Sequence, residues 1–215
     1  MSIIVIDGIS VSGKSVLLKA LQRRVLDLWP NYSKLVLTEH LTERLFERRN
    51  ASPAQVHLHV ARVLRLAAEL KAMQAEGPFS DNGAISTIMI ERLFLTLMSR
   101  GLMTASFFSE HAVLVDSVEL KSVFLFVPLD QIKDRIAQSL THRKAGWIDF
   151  IASLGGVEGA AASFEKQQDE MRHLNENLRP YMQTQTIEVA DTAELFVDAT
   201  LDGILCRGMM PAPGS

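Results

Sequence analysis

The chain has 215 residues, 47% of them hydrophobic and 22% charged, with a formal net charge of −3. That length suits one domain with a sizeable core, and the mildly acidic balance gives no electrostatic reason to expect a nucleic acid or an anionic membrane as partner. No apolar run approaches the roughly 18 residues of a spanning helix, no signal-peptide pattern precedes Ile3, and the single cysteine, Cys206, excludes an internal disulfide framework and fits a reducing cytosol; the expectation is a cytoplasmic protein.

In chain order, Ile3 to Asp7 is apolar without alternation, the pattern of a buried parallel strand. A helix is predicted from Lys14 to about Leu28, with Leu17, Leu18, Leu21, Val25 and Leu28 on one face and Trp29-Pro30-Asn31 ending it. Lys34 to Thr38 predicts a second strand, with Glu39 and His40 just past its carboxyl end. A short helix follows over Thr42 to Arg49, and Ser52-Pro53 starts a long one to about Gln74. Ile85 to Ile90 predicts a third strand, with Glu91-Arg92 at its end. Helices are expected over Leu93 to Ser99 and Thr104 to Leu120; they could make dimer contacts or simply be core. Ser122 to Val127 predicts a fourth strand closed by Pro128, and a helix runs from Leu129 to Leu140. Residues 141–160, basic and then glycine-containing, read as a mobile lid before a helix from about Ala160. Thr184 to Val189 is the fifth strand and Thr192 to Leu205 the closing helix, with a disordered tail over 207–215. Strands alternating with helices predict an α/β fold, a five-stranded parallel sheet flanked by helices, in one domain over 1–206 with a lid at about 141–160.

The most specific local pattern is Gly8-Ile9-Ser10-Val11-Ser12-Gly13-Lys14-Ser15, which is G-x-x-x-x-G-K-[ST] between a strand and a helix. Such a loop turns successive backbone N–H groups inward at a helix N-terminus and cradles phosphate oxygens. The candidate phosphate contacts are therefore Gly8, Ser10, Val11, Ser12, Gly13, Lys14, Ser15 and Val16. Lys14 is expected to reach the β- and γ-phosphates and the Ser15 hydroxyl to ligate Mg²⁺.

Open α/β sheets bind ligands at the carboxyl ends of their strands. That geometry selects Glu39 and Glu91-Arg92 as further candidates: Glu39 to orient a substrate hydroxyl or to cap a helix, Glu91 to hold Mg²⁺, and Arg92 to clamp phosphoryl oxygens or to pair with Glu91 on the surface. On the long helix, Gln55, Arg62 and Glu69 are seven apart and lie within about 40° of one another, with His59 on the border of their stripe. A pocket wall and a solvated helix face look identical in this pattern. His57 and His59 are two apart and do not form a metal pair on a helix. Arg143 and Lys144 in the 141–160 segment are positioned to close over phosphates or to form an exposed basic loop. Asn-Lys-x-Asp, Asp-x-x-Gly and Ser-Gly-Gly-Gln patterns are absent, which counts against a GTPase or a transport ATPase and favours a small-molecule kinase.

From residue 3 to about 190 the order of these motifs resembles the deoxynucleoside kinase and thymidylate kinase group of P-loop kinases. Val5-Ile6-Asp7-Gly8 is similar to the group's entry into the loop. Thr38-Glu39-His40 falls where deoxynucleoside kinases carry Glu-Pro, and Gln55 with Arg62 matches a Gln-x₆-Arg helix. Ile90-Glu91-Arg92 looks like Glu-Arg-Ser or the Asp-Arg of thymidylate kinases, and His142-Arg143-Lys144 falls at the arginine-rich lid. Leu93 stands in place of the serine, and Leu97 where many members carry a base-reading aspartate. The resemblance implies an ATP- and Mg²⁺-dependent phosphotransferase with a nucleoside-like small-molecule acceptor. In that reading Lys14, Glu39 and Arg92 are catalytic, and Gln55, His59, Arg62 and Glu91 contact the acceptor. Ser15 and Glu91 hold the metal, and Arg143 with Lys144 closes on the nucleotide. A different hydroxylated acceptor, a regulatory module without transfer activity, and a homodimer are the alternatives to weigh.

Overall fold

The computed structural model describes residues 2–20, 52–76 and 87–189. Their elements are β1 (Ser2–Gly8), α1 (residues 14–20), α2 (Pro53–Glu76), β2 (Thr87–Glu91), α3 (Phe94–Met98), α4 (Ser106–Glu110), α5 (Ala112–Ser117), β3 (Glu119–Phe126), α6 (Leu129–Leu140), α7 (Ala145–Ser153), α8 (Gly156–Asn177) and β4 (Gln183–Glu188). Four of the five expected strands are among them. The expected strand at 34–38 lies outside the described residues, as do Glu39, His40, the closing helix and the tail.

Every ladder is parallel, in the order β2-β1-β3-β4. β1 is one of the two interior strands among the described residues, and its isoleucines and valine find apolar cover on both faces. Ile4 and Ile6 face one core with Leu17 and Leu18 of α1, Ile132 and Ile136 of α6, Ile151 of α7 and Phe164 of α8. Ile3 and Val5 face the other, built with Val56, Val60 and Leu64 of α2, Phe94 and Leu97 of α3 and Phe107 and Phe108 of α4. Val56, Val60, Val63, Leu64 and Ala67 recur at helical spacing and form the face that α2 buries. The large side chains of 93–120 go mostly into this second core, which answers whether they are core. Among the described residues no helix is long and apolar enough to cross a membrane.

Two local expectations need correction. The helix expected over Thr104 to Leu120 is two short helices, α4 and α5, and its last residues enter β3, which begins at Glu119. Val118, already extended at φ −126° and ψ 155°, marks the change; Glu119 and Leu120 pair with Ser2 and Ile3, so sheet hydrogen bonding overrides helical periodicity there. The 141–160 segment, expected to be irregular until about Ala160, is helical from Ala145, and α8 starts at Gly156. Gly155 and Gly156, at φ 91° and 76°, make a tight left-handed turn between α7 and α8, and Ile151, Ala160 and Ala161 anchor both helices in the first core.

The turn before α8 folds so closely onto its first residues that a Cβ on Gly159 would collide with the backbone carbonyl of Leu154, whereas a Cβ on Gly146 of α7 would meet open space. Gly159→Ala should therefore lower stability by about 1–3 kcal/mol, as overpacking against an unyielding backbone does. Gly146→Ala should be neutral or stabilising by up to about 1 kcal/mol. Urea unfolding of the two variants checks this pair of signs.

Candidate active site

β1 turns into the glycine-containing loop at Gly8, which lies beside Leu125 of β3. A Cβ at Gly8 would come within 2.8 Å of the Ser12 hydroxyl and 2.9 Å of the Leu125 carbonyl, so only glycine lets the loop fold this tightly over β3. Gly13 has φ 82°, a left-handed conformation that side chains disfavour. The Ser12 amide donates to the Ile9 carbonyl at 3.1 Å and the Leu17 amide to the Gly13 carbonyl at 2.9 Å, closing the loop and opening α1. Val11 and Ser12 are buried, Ser10 is half-buried, and Val16 is exposed on α1.

Lys14 is buried, at 3% exposure, and its ammonium donates to the carbonyls of Gly8 at 2.8 Å and Ile9 at 2.5 Å and to the Ser12 hydroxyl at 3.2 Å. Burial, then the positive charge of Arg92, with a smaller contribution from Arg143, pull its pKa down to about 7 against the upward pull of Glu91 and Asp7.

The ladder between β1 and β2 places Glu91 opposite Ile6, two residues before the loop. From there both carboxylate oxygens of Glu91 accept from the Ser15 hydroxyl, at 3.0 and 3.1 Å. Glu91 is 1% exposed, so this is an interior carboxylate and not one half of a surface pair. Arg92 follows with φ 58°, uncommon for a residue with a side chain; its amide donates to the Ile6 carbonyl at 3.1 Å, and its Nε lies 3.3 Å from Glu91. That backbone keeps the ladder going for one more bond while aiming the guanidinium back at the loop.

Arg143, at the end of the turn after α6, donates to the Ser10 carbonyl at 2.9 Å. Its guanidinium lies 4.3 Å from the centre of the Trp147 ring. Burial and the charge of Arg92 lower its pKa, opposed by Glu91. Lys144 instead caps α7 and is exposed; Arg143 is the cation of this pair that touches the loop.

On α2 the expected acceptor residues are dispersed. Gln55 is exposed and exchanges hydrogen bonds with Ser52, its side-chain oxygen accepting from the Ser52 amide at 3.0 Å while its own amide donates to the Ser52 hydroxyl at 3.3 Å. This is a helix-start box, which accounts for the Ser-x-x-Gln spacing. Arg62 is exposed and His59 half-buried. The structure brings together Lys14, Ser15, Glu91, Arg92 and Arg143, and leaves Gln55 and Lys144 apart from them.

Two charged residues at the site went unremarked as candidates in the sequence. Asp7 is fully buried; its carboxylate accepts from the Leu95 amide at 2.9 Å, the Thr96 amide at 3.1 Å and the Thr96 hydroxyl at 2.6 Å. Desolvation raises its pKa, opposed by those hydrogen bonds and by Lys14. It ties the end of β1 to α3 and so holds the turn containing Arg92. An acid ending an otherwise apolar buried strand was the available signal. Arg100, whose pKa is lowered by desolvation and by Arg92, adds a further positive charge near the turn, and its distance along the chain gave no sign of this.

Glycine-tight loop, buried lysine, and a hydroxyl facing a strand-end carboxylate at the carboxyl edge of a parallel sheet define a P-loop α/β protein. No family model and no curated protein sequence matches the chain. Among solved structures it is similar to deoxyadenosine kinase from M. mycoides with bound dCTP, at 12% identity and TM-score 0.47, over 96% of this chain and 100% of that one. It is also similar to shikimate kinase from Aquifex aeolicus vf5, at 15% identity and TM-score 0.42, over 97% and 99%.

Lys14 generates a pH dependence that can be measured without any ligand. The unfolded chain keeps its proton up to about the ordinary lysine value of 10.5, the folded chain only to about 7. Unfolding takes up a proton between those values, so this group makes stability rise with pH from about 7 towards 10.5. Relative to Lys14→Met, the unaltered protein should gain up to about 1.4 kcal/mol per pH unit in urea unfolding between pH 7 and 9. A difference that is flat or falls with pH would contradict a lowered Lys14 pKa.

Proposed function

We propose that the protein is an ATP- and Mg²⁺-dependent phosphotransferase acting on a small nucleoside- or nucleotide-like acceptor. The observation that supports this most is the Ser15–Glu91 contact, a hydroxyl and a buried carboxylate facing each other beside Lys14. Two oxygen donors of this kind suit Mg²⁺, which binds few protein ligands and completes an octahedron with water and phosphate oxygens. Among the described residues no three His, Cys, Asp or Glu side chains cluster as a metal site, so the remaining ligands would come from the nucleotide and water. Bound there, the ion would neutralise charge on the phosphates.

The loop amides of Gly8 to Val16 would cradle the nucleotide phosphates. Lys14, swinging from the carbonyls of Gly8 and Ile9, would trade backbone acceptors for phosphate oxygens, a stronger charge-assisted bond. Arg92 and Arg143, the latter with Lys144 nearby in sequence, would stabilise charge on the transferring group. In a loose transition state, positioning and such electrostatic stabilisation carry most of the acceleration. Glu39, outside the described residues, would orient the acceptor hydroxyl, with Gln55, His59 and Arg62 of α2 on the acceptor side.

One observation favours a different hydroxylated small molecule as acceptor. Leu93 and Leu97 are 1% and 0% exposed in the second core, so the two positions that carry polar residues in the resembled group point no polar atom at a ligand here.

A coupled assay across nucleosides, nucleoside monophosphates and other hydroxylated metabolites should find turnover that EDTA abolishes and Mg²⁺ restores. Tight ATP binding with no turnover on any acceptor would leave a binding module and refute the transferase. Glu91→Gln should raise the Mg²⁺ concentration required by about 10- to 100-fold, the usual loss when a group supporting a metal is removed. Glu39→Gln should reduce kcat much more than ATP affinity; the opposite pattern would remove Glu39 from the acceptor side.

A further inference from the structure

Resting on that reading, we propose that Trp147 is a positioning residue: its indole, held by Ser139 and Phe164, keeps the Arg143 guanidinium over the phosphate loop. Arg143 follows α6 by three residues and precedes α7 by two, so its own backbone gives a long side chain little guidance. The guidance comes from Trp147, one helical turn further on. Arg143 lies 4.3 Å from the ring centre, within the range of a cation–π contact, and from that seat reaches the Ser10 carbonyl.

The ring itself cannot turn freely. Its Nε1–H donates to the Ser139 hydroxyl at 2.8 Å, and that hydroxyl donates in turn to the Ile136 carbonyl at 2.6 Å. Ser139 is buried at the end of α6, whose carbonyl-rich last turn is thereby joined to the start of α7. On its inner side the ring stacks on Phe164 of α8, centroids 6.2 Å apart and planes at 27°. The chain Ile136–Ser139–Trp147–Arg143–Ser10 thus links a core helix to the loop through one rigid plane. The charged groups that interact with Arg143 are Arg92, Glu91 and Lys14, and Trp147 is the ring on which its guanidinium rests.

The arrangement also explains why arginine and not Lys144 touches the loop. A planar guanidinium lies flat on an indole and still directs an N–H sideways, whereas an ammonium is a hydrated point charge. Charge at this position is thereby placed before any nucleotide arrives, which lowers the ordering that binding would otherwise require.

The test is a double-mutant cycle read by isothermal titration with MgATP, on the full chain. Trp147→Leu should weaken binding about tenfold, and Trp147→Phe and Ser139→Ala, each of which removes the indole N–H bond but leaves a ring over Phe164, by a smaller factor of about two to five. In the Arg143→Ala background the same Trp147→Leu change should alter affinity by less than about twofold. Equal losses in both backgrounds would show that Trp147 acts through general packing and overturn the positioning role, and so would a Trp147→Phe loss as large as that of Trp147→Leu. Failure of the unaltered protein to bind MgATP would instead overturn the functional reading on which the role rests. Because Trp147→Leu also removes core volume, Ser139→Ala and Trp147→Phe decide the matter if that variant does not fold.

Discussion

Glu91 stands opposite Ile6 in a parallel ladder, two residues behind the glycine at which β1 becomes the loop. Everything chemical in the structure follows from that register. A slip of one residue would point Glu91 to the opposite face of the sheet and break its contact with Ser15. The same ladder carries the Arg92 amide onto the Ile6 carbonyl, and Gly8 permits the loop to close over Leu125 because it has no Cβ. The loop and the acid are brought together by main-chain pairing between strands more than 80 residues apart in sequence, with both strand faces sealed by separate cores.

The register also gathers like charges around the loop. The charges of Arg92 and Arg143 lower the proton affinity of Lys14, and that of Arg92 lowers those of Arg100 and Arg143; at Lys14 the carboxylates opposing this are Glu91 and Asp7. Asp7 is largely committed to the Leu95 and Thr96 donors, which leaves Glu91 to serve the hydroxyl of Ser15 and Arg92 together. Like charges gathered in a partly desolvated pocket are unfavourable until an anion joins them.

The parts of this site that could be read from the sequence were those with local signatures. Gly8 to Ser15 carries a spacing that dictates its own backbone, and Glu91-Arg92 follows an apolar run whose end in an α/β sheet is a ligand edge. Gln55 shows the limit of spacing: Ser52-x-x-Gln55 is equally a helix-start box, and the local hydrogen bonds are the ones seen. Val118 to Leu120 look helical by periodicity, yet Val118 is already extended and Glu119 and Leu120 pair with Ser2 and Ile3 of β1. Asp7 is marked in the sequence as an acid ending an apolar strand, but its partners, Leu95 and Thr96, are 88 and 89 positions away and have no local signature.

The 141–160 segment shows the same limit from the other side. Its glycines suggested looseness, but Gly155 and Gly156 adopt left-handed backbone to turn the chain sharply, and Gly159 is small so that α8 can pass the Leu154 carbonyl. Glycine here serves close packing and not freedom. The segment is consequently able to hold Trp147 in one orientation against Phe164 and Ser139, which an irregular loop could not do at comparable precision. A basic residue on an irregular loop has many orientations open to it; one seated on a packed indole has few, so the packing of α7 and α8 against the first core decides where Arg143 stands beside Ser10.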